Sequence, residues 1–449
     1  MSSPDPELTG ATVELLQAMI RTACVNDGTP SSGQEVRNAE LLAAYLDVPG
    51  IDLSHHEPIP GRRSVVATLE GSDPDAPTVG LLGHTDVVPV SADRWREDPF
   101  GGELIDGEVW GRGAVDMLNL TASMAVALRT LAARPRRPRG TVRFLGVADE
   151  EAGGVWGAGW LAEHVWEQVA CDYVLTESGG LPLVSPSGVK VVMGAAEKGI
   201  GWRRLVVHGA PGHGSVPFGA DNALITAAEV VRRLHAYAPR ADLNDFWRAW
   251  VRALPVDAGV QAALLDPDRI EDALAALPPR LAGYSHAVTH TTFSPNVVHG
   301  GTKSNVIPDR VELELDIRTL PGVTDQDVEG MLREALGDLA DKVTVEAPPH
   351  SRPASASPID TPMFDLLRRR AEAAHPGAEV LPWMIVGGTD AAFFRRRGVP
   401  SYGAGLFSAK ASLPEYRARF HGDDERIDVE SLGLSAQLWV DLADGLPDA

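Results

Sequence analysis

Thiols are scarce in this chain. Cys24 and Cys171 are the two cysteines among 449 residues, far apart and in no C-x-x-C pair. That excludes a disulfide framework and a thiolate zinc site. Basic residues are outnumbered, 40 Lys and Arg against 62 Asp and Glu, for a formal net charge of −22. Nonspecific nucleic-acid binding needs a basic surface, so this balance argues against it. No apolar run approaches the roughly 20 residues that span a bilayer. The opening MSSPDPELTG lacks the basic and apolar regions of a signal peptide. A soluble, cytoplasmic protein is expected. The hydrophobic fraction of 44% and charged fraction of 23% are ordinary for a globular protein, and the length allows two or more domains.

The stretch Val79–Pro89, VGLLGHTDVVP, runs from apolar and small residues into His84-Thr85-Asp86. It reads as a buried strand whose end presents polar side chains. In an open α/β sheet the functional crevice lies outside such carboxyl ends. Other stretches end in the same way. Thr141–Val147 runs into Asp149-Glu150-Glu151, and Asp172–Thr176 into Glu177-Ser-Gly-Gly. Asp116 stands before a helix expected over Leu118–Ala133 and reads as an N-cap or as a functional carboxylate. The 149–151 triplet reads as a solvated acidic loop or as carboxylates held by something positive. Further helices are expected over Leu8–Cys24, Glu35–Leu46 and Ala158–Val169, and Ser64–Leu69 reads as a strand. The pattern fits a parallel or mixed sheet flanked by helices.

The texture changes near Glu197. A mixed-face strand, Trp202–His208, leads to a turn-rich loop holding His213, and Asn222–Tyr237 is amphipathic. Ala238–Arg280 reads as short helices, Ala287–Pro295 as strand-like, and Val311–Thr319 alternates as a half-exposed strand does. A βαββ block with one polar sheet face is expected, inserted as residues 198–320 between the halves 1–197 and 321–449. After Pro321-Gly322 the first texture returns, with a helix at Asp325–Leu339, a strand at Val343–Glu346 and Gly387-Gly388-Thr389-Asp390 at the end of another.

His84, Asp86, Asp116, Glu150, Glu151, Glu177 and His421 form a hard-to-borderline oxygen and nitrogen donor set. It suits Zn²⁺, Co²⁺ or Mn²⁺, with enough donors for two ions sharing a carboxylate. Two such ions about 3.5–4 Å apart can together polarise a carbonyl and activate a water.

These residues stand in a recognisable order. His84-Thr-Asp86, Gly111-Arg-Gly-Ala-Val-Asp116, Asp149-Glu150-Glu151, Glu177-Ser-Gly-Gly, Gly212-His213, Lys303-Ser-Asn305, Asp316-Ile-Arg318, Gly387-Gly388-Thr389-Asp390 and His421-Gly422 span nearly the whole chain. In this series the chain resembles the aminoacylase, carboxypeptidase G, acetylornithine deacetylase and succinyl-diaminopimelate desuccinylase family of di-metal amidohydrolases. The resemblance implies an α/β, zinc-exopeptidase-like mixed sheet flanked by helices. It also implies an inserted α+β, ferredoxin-like lid and dimerisation domain. Asp116 would bridge two divalent ions, most simply Zn²⁺. His84 and Glu177 would complete one site, Glu151 and His421 the other. Asp86 would orient His84, and Glu150 would be the general base toward a metal-activated water.

The same resemblance has His213 reach the active site of a neighbouring subunit and stabilise the oxyanion. Taken alone, His213 is a loop histidine on the surface. Arg318, otherwise an exposed strand charge, would clamp the substrate carboxylate bidentately, beside Asn305 and the Gly387, Gly388 and Thr389 backbone. The implied substrates are small peptides or N-acyl-amino acids with a free carboxylate, and the implied assembly is a homodimer through the inserted domain. No nucleic-acid or membrane partner is expected. The alternatives are a di-zinc aminopeptidase-like enzyme and a non-catalytic metal-binding or scaffold relative. Ala238–Arg280 makes the insert longer than in compact members, and Met117 stands where many carry a small or charged residue.

Overall fold

The structure is a computed structural model, and it describes residues 4–185, 188–254, 256–347 and 351–446. The chain forms two compact units. The first comprises 1–195, 357–383 and 389–449, and the second 196–356 and 384–388.

The first unit is built on a mixed sheet. Val79–His84 is buried at every position and lies between Val142–Val147 and Tyr173–Thr176, both parallel to it. Ser401–Gly403 extends the parallel set beside Tyr173–Thr176. On the other side Ser64–Leu69 and Ile51–His56 add on as antiparallel strands. A strand buried on both faces reads as a continuous apolar run, which is why VGLLGH carries no alternation. Three parallel neighbours therefore end side by side, and His84, Glu150 and Glu177 follow at those ends.

Helices Pro6–Arg21, Leu118–Ala132 and Val429–Asp444 pack together in this unit. Asp428 caps the last, accepting from the Ser431 N–H at 3.0 Å. The helix expected over Ala158–Val169 is broken into Val155–Gly159, Trp160–His164 and Trp166–Val169. Gly157 interrupts the first piece with a non-helical backbone, pressed so close to the Ala148 carbonyl that a Cβ would collide with it.

The second unit has strand order Thr292–Gly300, Arg310–Thr319, Arg203–His208, Val343–Glu346, with each neighbouring pair antiparallel. Helices Ala223–Ala236 and Asp325–Leu336 supply Val230, Leu234, Val328 and Leu332 to a core that includes Leu205, Leu313 and Ile317. The opposite sheet face is polar, with Arg204 3.6 Å from Glu314 and 4.0 Å from Glu346. In chain order these elements read βαββαβ, the split βαβ arrangement. The boundary expected at residue 320 therefore falls too early. The Asp325–Leu336 helix and the Val343–Glu346 strand complete the second half of the motif, so the unit runs on to residue 356.

Residues 238–290 form four short helices: Asp245–Ala253, Ala258–Leu264, Ile270–Ala275 and Pro279–Thr289. The strand expected at Ala287–Pro295 is instead a helix end followed by a strand from Thr292. Apolar runs this short do not distinguish the two periods. Among the described residues no helix is long and apolar enough to cross a membrane.

Candidate metal centre

Seven of the singled-out side chains converge in the first unit: His84, Asp86, Asp116, Glu150, Glu151, Glu177 and His421. His84 is buried, and its Nδ1 lies 3.0 Å from the Asp86 carbonyl oxygen. A carbonyl only accepts, so Nδ1 carries the proton and Nε2 faces inward, 3.1 Å from Asp116 Oδ1. His421 Nε2 lies 2.8 Å from the other oxygen, Asp116 Oδ2, and 3.3 Å from Glu151 Oε2. The two oxygens of Asp116 are thus divided between two imidazoles. Ligand atoms of His84, Asp116 and Glu177 lie within 4.8 Å of one another, as do those of Asp116, Glu151 and His421. Glu150 belongs to neither group.

Asp116 is not an N-cap. The Leu118–Ala132 helix has no side-chain cap, and the carboxylate of Asp116 is turned to the two histidines. The acidic triplet also separates. Asp149 takes a left-handed backbone, accepts from the Trp156 N–H at 3.0 Å and lies 3.7 Å from Arg62, leaving Glu150 and Glu151 to the cluster.

Asp86 orients more than its neighbour. Its carbonyl fixes His84, while its carboxylate sits farther from that ring, at 3.6 Å. That carboxylate accepts from the N–H groups of Glu150 and Glu151, at 3.2 and 3.1 Å, and from Asn26 Nδ2 at 2.8 Å. One residue thus holds a histidine and the turn that carries both glutamates.

Sequence reasoning missed Glu425. Its buried carboxylate accepts from the N–H groups of Gly113, Val115 and Asp116 at 3.1, 2.6 and 3.0 Å and pairs with Arg112 at 2.6 Å. Gly113 takes φ +92°, where a Cβ would also press on Leu118 and Val87. Tyr416 Oη donates to the Val115 carbonyl at 2.6 Å. The loop carrying Asp116 is therefore clamped from both sides. The signal was the third of three carboxylates shortly after His421, with nothing local to distinguish it from a solvated charge.

The cluster is short of positive charge. Burial raises the Glu177 carboxyl well above its ordinary value, and Asp116 and Glu150 push it the same way. Burial also raises Glu150, with Asp390, Glu151 and Asp116 adding to it and His84 opposing. Glu151 is lifted by burial and by Asp116 to about 7. Burial works against a charged His421, yet its bonds to Asp116 and Glu151 raise it to about 10. Asp116 shows the converse: burial opposes its charge, but hydrogen bonds from His421 and His84 hold it below the ordinary range. Glu151 Oε1 is buried without a hydrogen-bond partner. Carboxylates packed in this way with inward imidazole nitrogens fit divalent cations.

The remaining singled-out residues divide between the units. Thr389 is buried in the first. In the second, exposed His213 lies on a two-residue strand paired with Val306–Ile307, opposite Val306, and the Gly214 N–H bonds the Asn305 carbonyl at 2.8 Å. Arg318 donates from Nε to Asp316 at 2.7 Å. Gly388 lies against the Arg352 guanidinium, which a Cβ there would have to displace, and Gly387 precedes it.

Comparison with known proteins identifies the family. The N-fatty-acyl-amino acid synthase/hydrolase of Xenopus tropicalis is 29% identical over 453 residues, covering 96% of this chain and 85% of its own. Mouse aminoacylase-1 is 25% identical over 428 residues, 94% of each chain. An M20-family metallo-carboxypeptidase of Sulfolobus solfataricus shares the fold with a TM-score of 0.72 at 17% identity, covering 98% of this chain and 99% of that one. The sequence profile of peptidase family M20/M25/M40 matches residues 80–445, most of the chain, and the chain belongs to that family.

Proposed function

We propose that this chain is a metal-dependent amide hydrolase that releases an amino acid from N-acyl-amino acids or small peptides bearing a free carboxylate. One observation carries the reading: Asp116 is common to both donor groups while Glu150 belongs to neither. A carboxylate beside the ions and not consumed by them is what a general base needs. His84, Asp116 and Glu177 would hold one cation and Asp116, Glu151 and His421 the other, Zn²⁺ by donor type with Co²⁺ or Mn²⁺ as substitutes. The ions supply Lewis acidity toward the scissile carbonyl and lower the pKa of a water.

The chain's own residues do the rest. Glu150 takes a proton from the attacking water and delivers it to the leaving nitrogen. Asp86 keeps Nε2 of His84 inward and fixes the turn that aims Glu150. Glu425 sets the backbone beneath Asp116.

For His213, the Ser215 N–H points to Nδ1 at 3.2 Å, which makes Nδ1 the acceptor and leaves the proton on Nε2. That nitrogen is then a donor suited to an oxyanion, reached in a homodimer formed through the second unit. Arg318, its plane steadied by Asp316, takes the substrate carboxylate, with Asn305, Gly387 and Gly388 of the same unit beside it. The aminopeptidase-like and non-catalytic readings have less support, since the relatives named above are an acyl-amino acid hydrolase and an aminoacylase.

The test is amino-acid release from a panel of dipeptides and N-acyl-amino acids, with metal-free, Zn²⁺-loaded and Co²⁺-loaded protein. Release that depends on the ion is expected, with much of kcat/KM lost when the substrate carboxylate is esterified. No release with any ion would overturn the proposal, and equal rates on the ester would remove Arg318 from its role.

A further inference from the structure

The helical segment of the second unit holds another group of donors, which the hydrolytic reading does not use. Glu271 lies on the Ile270–Ala275 helix. His286 lies on the Pro279–Thr289 helix, and His290 follows one turn later. One ligand atom from each residue falls within 4.8 Å of the others. The two imidazoles are parallel, 4.2 Å apart between centroids and 8° between planes.

His290 decides what the group can bind. It is fully buried, with Nδ1 3.1 Å from the His286 carbonyl oxygen. That carbonyl only accepts, so Nδ1 holds a proton toward it and Nε2 is the nitrogen turned to Glu271, the arrangement that prepares a histidine for a metal. Nε2 lies 2.8 Å from Glu271 Oε1, yet it has no hydrogen-bond partner. The two atoms are close without being aligned. A buried imidazole nitrogen this close to a carboxylate oxygen, with no aligned hydrogen bond between them, leaves a position where one cation can serve both.

Bonds of about 2.0–2.1 Å at a tetrahedral angle separate two donors by about 3.3 Å, so this pair needs to open by only about half an ångström. The Glu271 side chain is 57% exposed, which gives an ion a route in and leaves its fourth position to water.

We propose that Glu271, His286 and His290 form a second divalent-cation site, with two imidazoles and a carboxylate suited to Zn²⁺, that ties the Ile270–Ala275 helix to the Pro279–Thr289 helix. The tie has a consequence beyond the helices. The buried ammonium of Lys198 donates to the carbonyls of Ala287 and His290, each at 2.7 Å. An ion on His286 and His290 fixes the backbone that anchors this lysine, and the charge of Arg318 bears on Lys198 in turn. The site is independent of the hydrolytic reading.

The test counts ions. Full-length protein is saturated with Zn²⁺, desalted, and its zinc measured by mass spectrometry, with circular dichroism to check folding. Glu271→Ala, at an exposed side chain, and His286→Ala are expected to hold one ion fewer per chain than the wild type. The His84→Ala/His421→Ala double variant is expected to keep that ion, and Zn²⁺ is expected to raise its Tm. Equal zinc content in the wild type, Glu271→Ala and His286→Ala overturns the proposal, as does a Tm of the double variant that Zn²⁺ leaves unmoved. If the double variant holds as much zinc as the wild type, the first-unit assignment fails instead, and the Glu271→Ala difference still decides this one.

Discussion

In the first unit burial gathers anions: Glu150, Glu151 and Glu177 crowd Asp116 and are pushed toward their protonated forms. In the second unit burial isolates a cation. Lys198, 2% exposed, is lowered to about 7 by desolvation and by the charge of Arg318, and carbonyl oxygens satisfy it. The first arrangement is incomplete without added positive charge, whereas the second is closed by the backbone. The contrast separates a site made to receive ions from one made to hold a side chain in place.

The largest expected effect that sharpens this contrast is on Glu425. Glu425→Ala leaves Arg112 buried and unpaired and removes the acceptor of three N–H groups, so a loss of about 3–5 kcal/mol is expected in denaturant unfolding. Lesser disruption follows at Asp86. Asp86→Ala frees the Glu150–Glu151 turn while leaving every ion ligand in place, and should weaken ion affinity about 10–100-fold by equilibrium dialysis.

The pH dependence of the two units should run in opposite directions. Glu151 is raised from 4.5 to about 7, so the folded ion-free state binds the extra proton. The stability it contributes is complete below pH 4.5 and is lost as pH rises through about 7. Divalent ions displace that proton, so their affinity should fall as pH falls, with proton release visible by calorimetry in buffers of different ionisation heat. Lys198 is lowered from 10.5 to about 7, so the unfolded state binds the extra proton across that window and stability should rise with pH there. Lys198→Met should flatten this rise in urea titrations, and a slope unchanged by the substitution would contradict the burial argument.

The smallest effects are at helix caps. Asp5→Ala in the first unit and Asn222→Ala in the second each remove one capping side chain, for about 1 kcal/mol apiece.

Much of the first unit was legible because its chemistry follows strand ends. VGLLGH is apolar to the point where it turns polar, and Ser64–Leu69 matches the observed strand end for end. Glu425 and Asn26 were not legible, because they reach the cluster through packing and carry no local period. The end of the inserted unit was misplaced because the Asp325–Leu336 helix looks alike in either unit, and only the pairing of Val343–Glu346 with Arg203–His208 assigns it. His286 and His290 were hidden for a related reason. The strand expected over Ala287–Pro295 took in His290 and not His286, which hid their turn-apart spacing, and Glu271 joins them only when two short helices pack.

The most direct test of the central claim measures bound metal and kcat on one preparation of Glu150→Gln. If Glu150 moves protons and Asp116 with its partners holds the ions, the variant keeps the metal content of the wild type while kcat falls about 10²–10⁴-fold. Undiminished kcat, or metal lost in step with activity, would contradict the separation of roles on which the account stands.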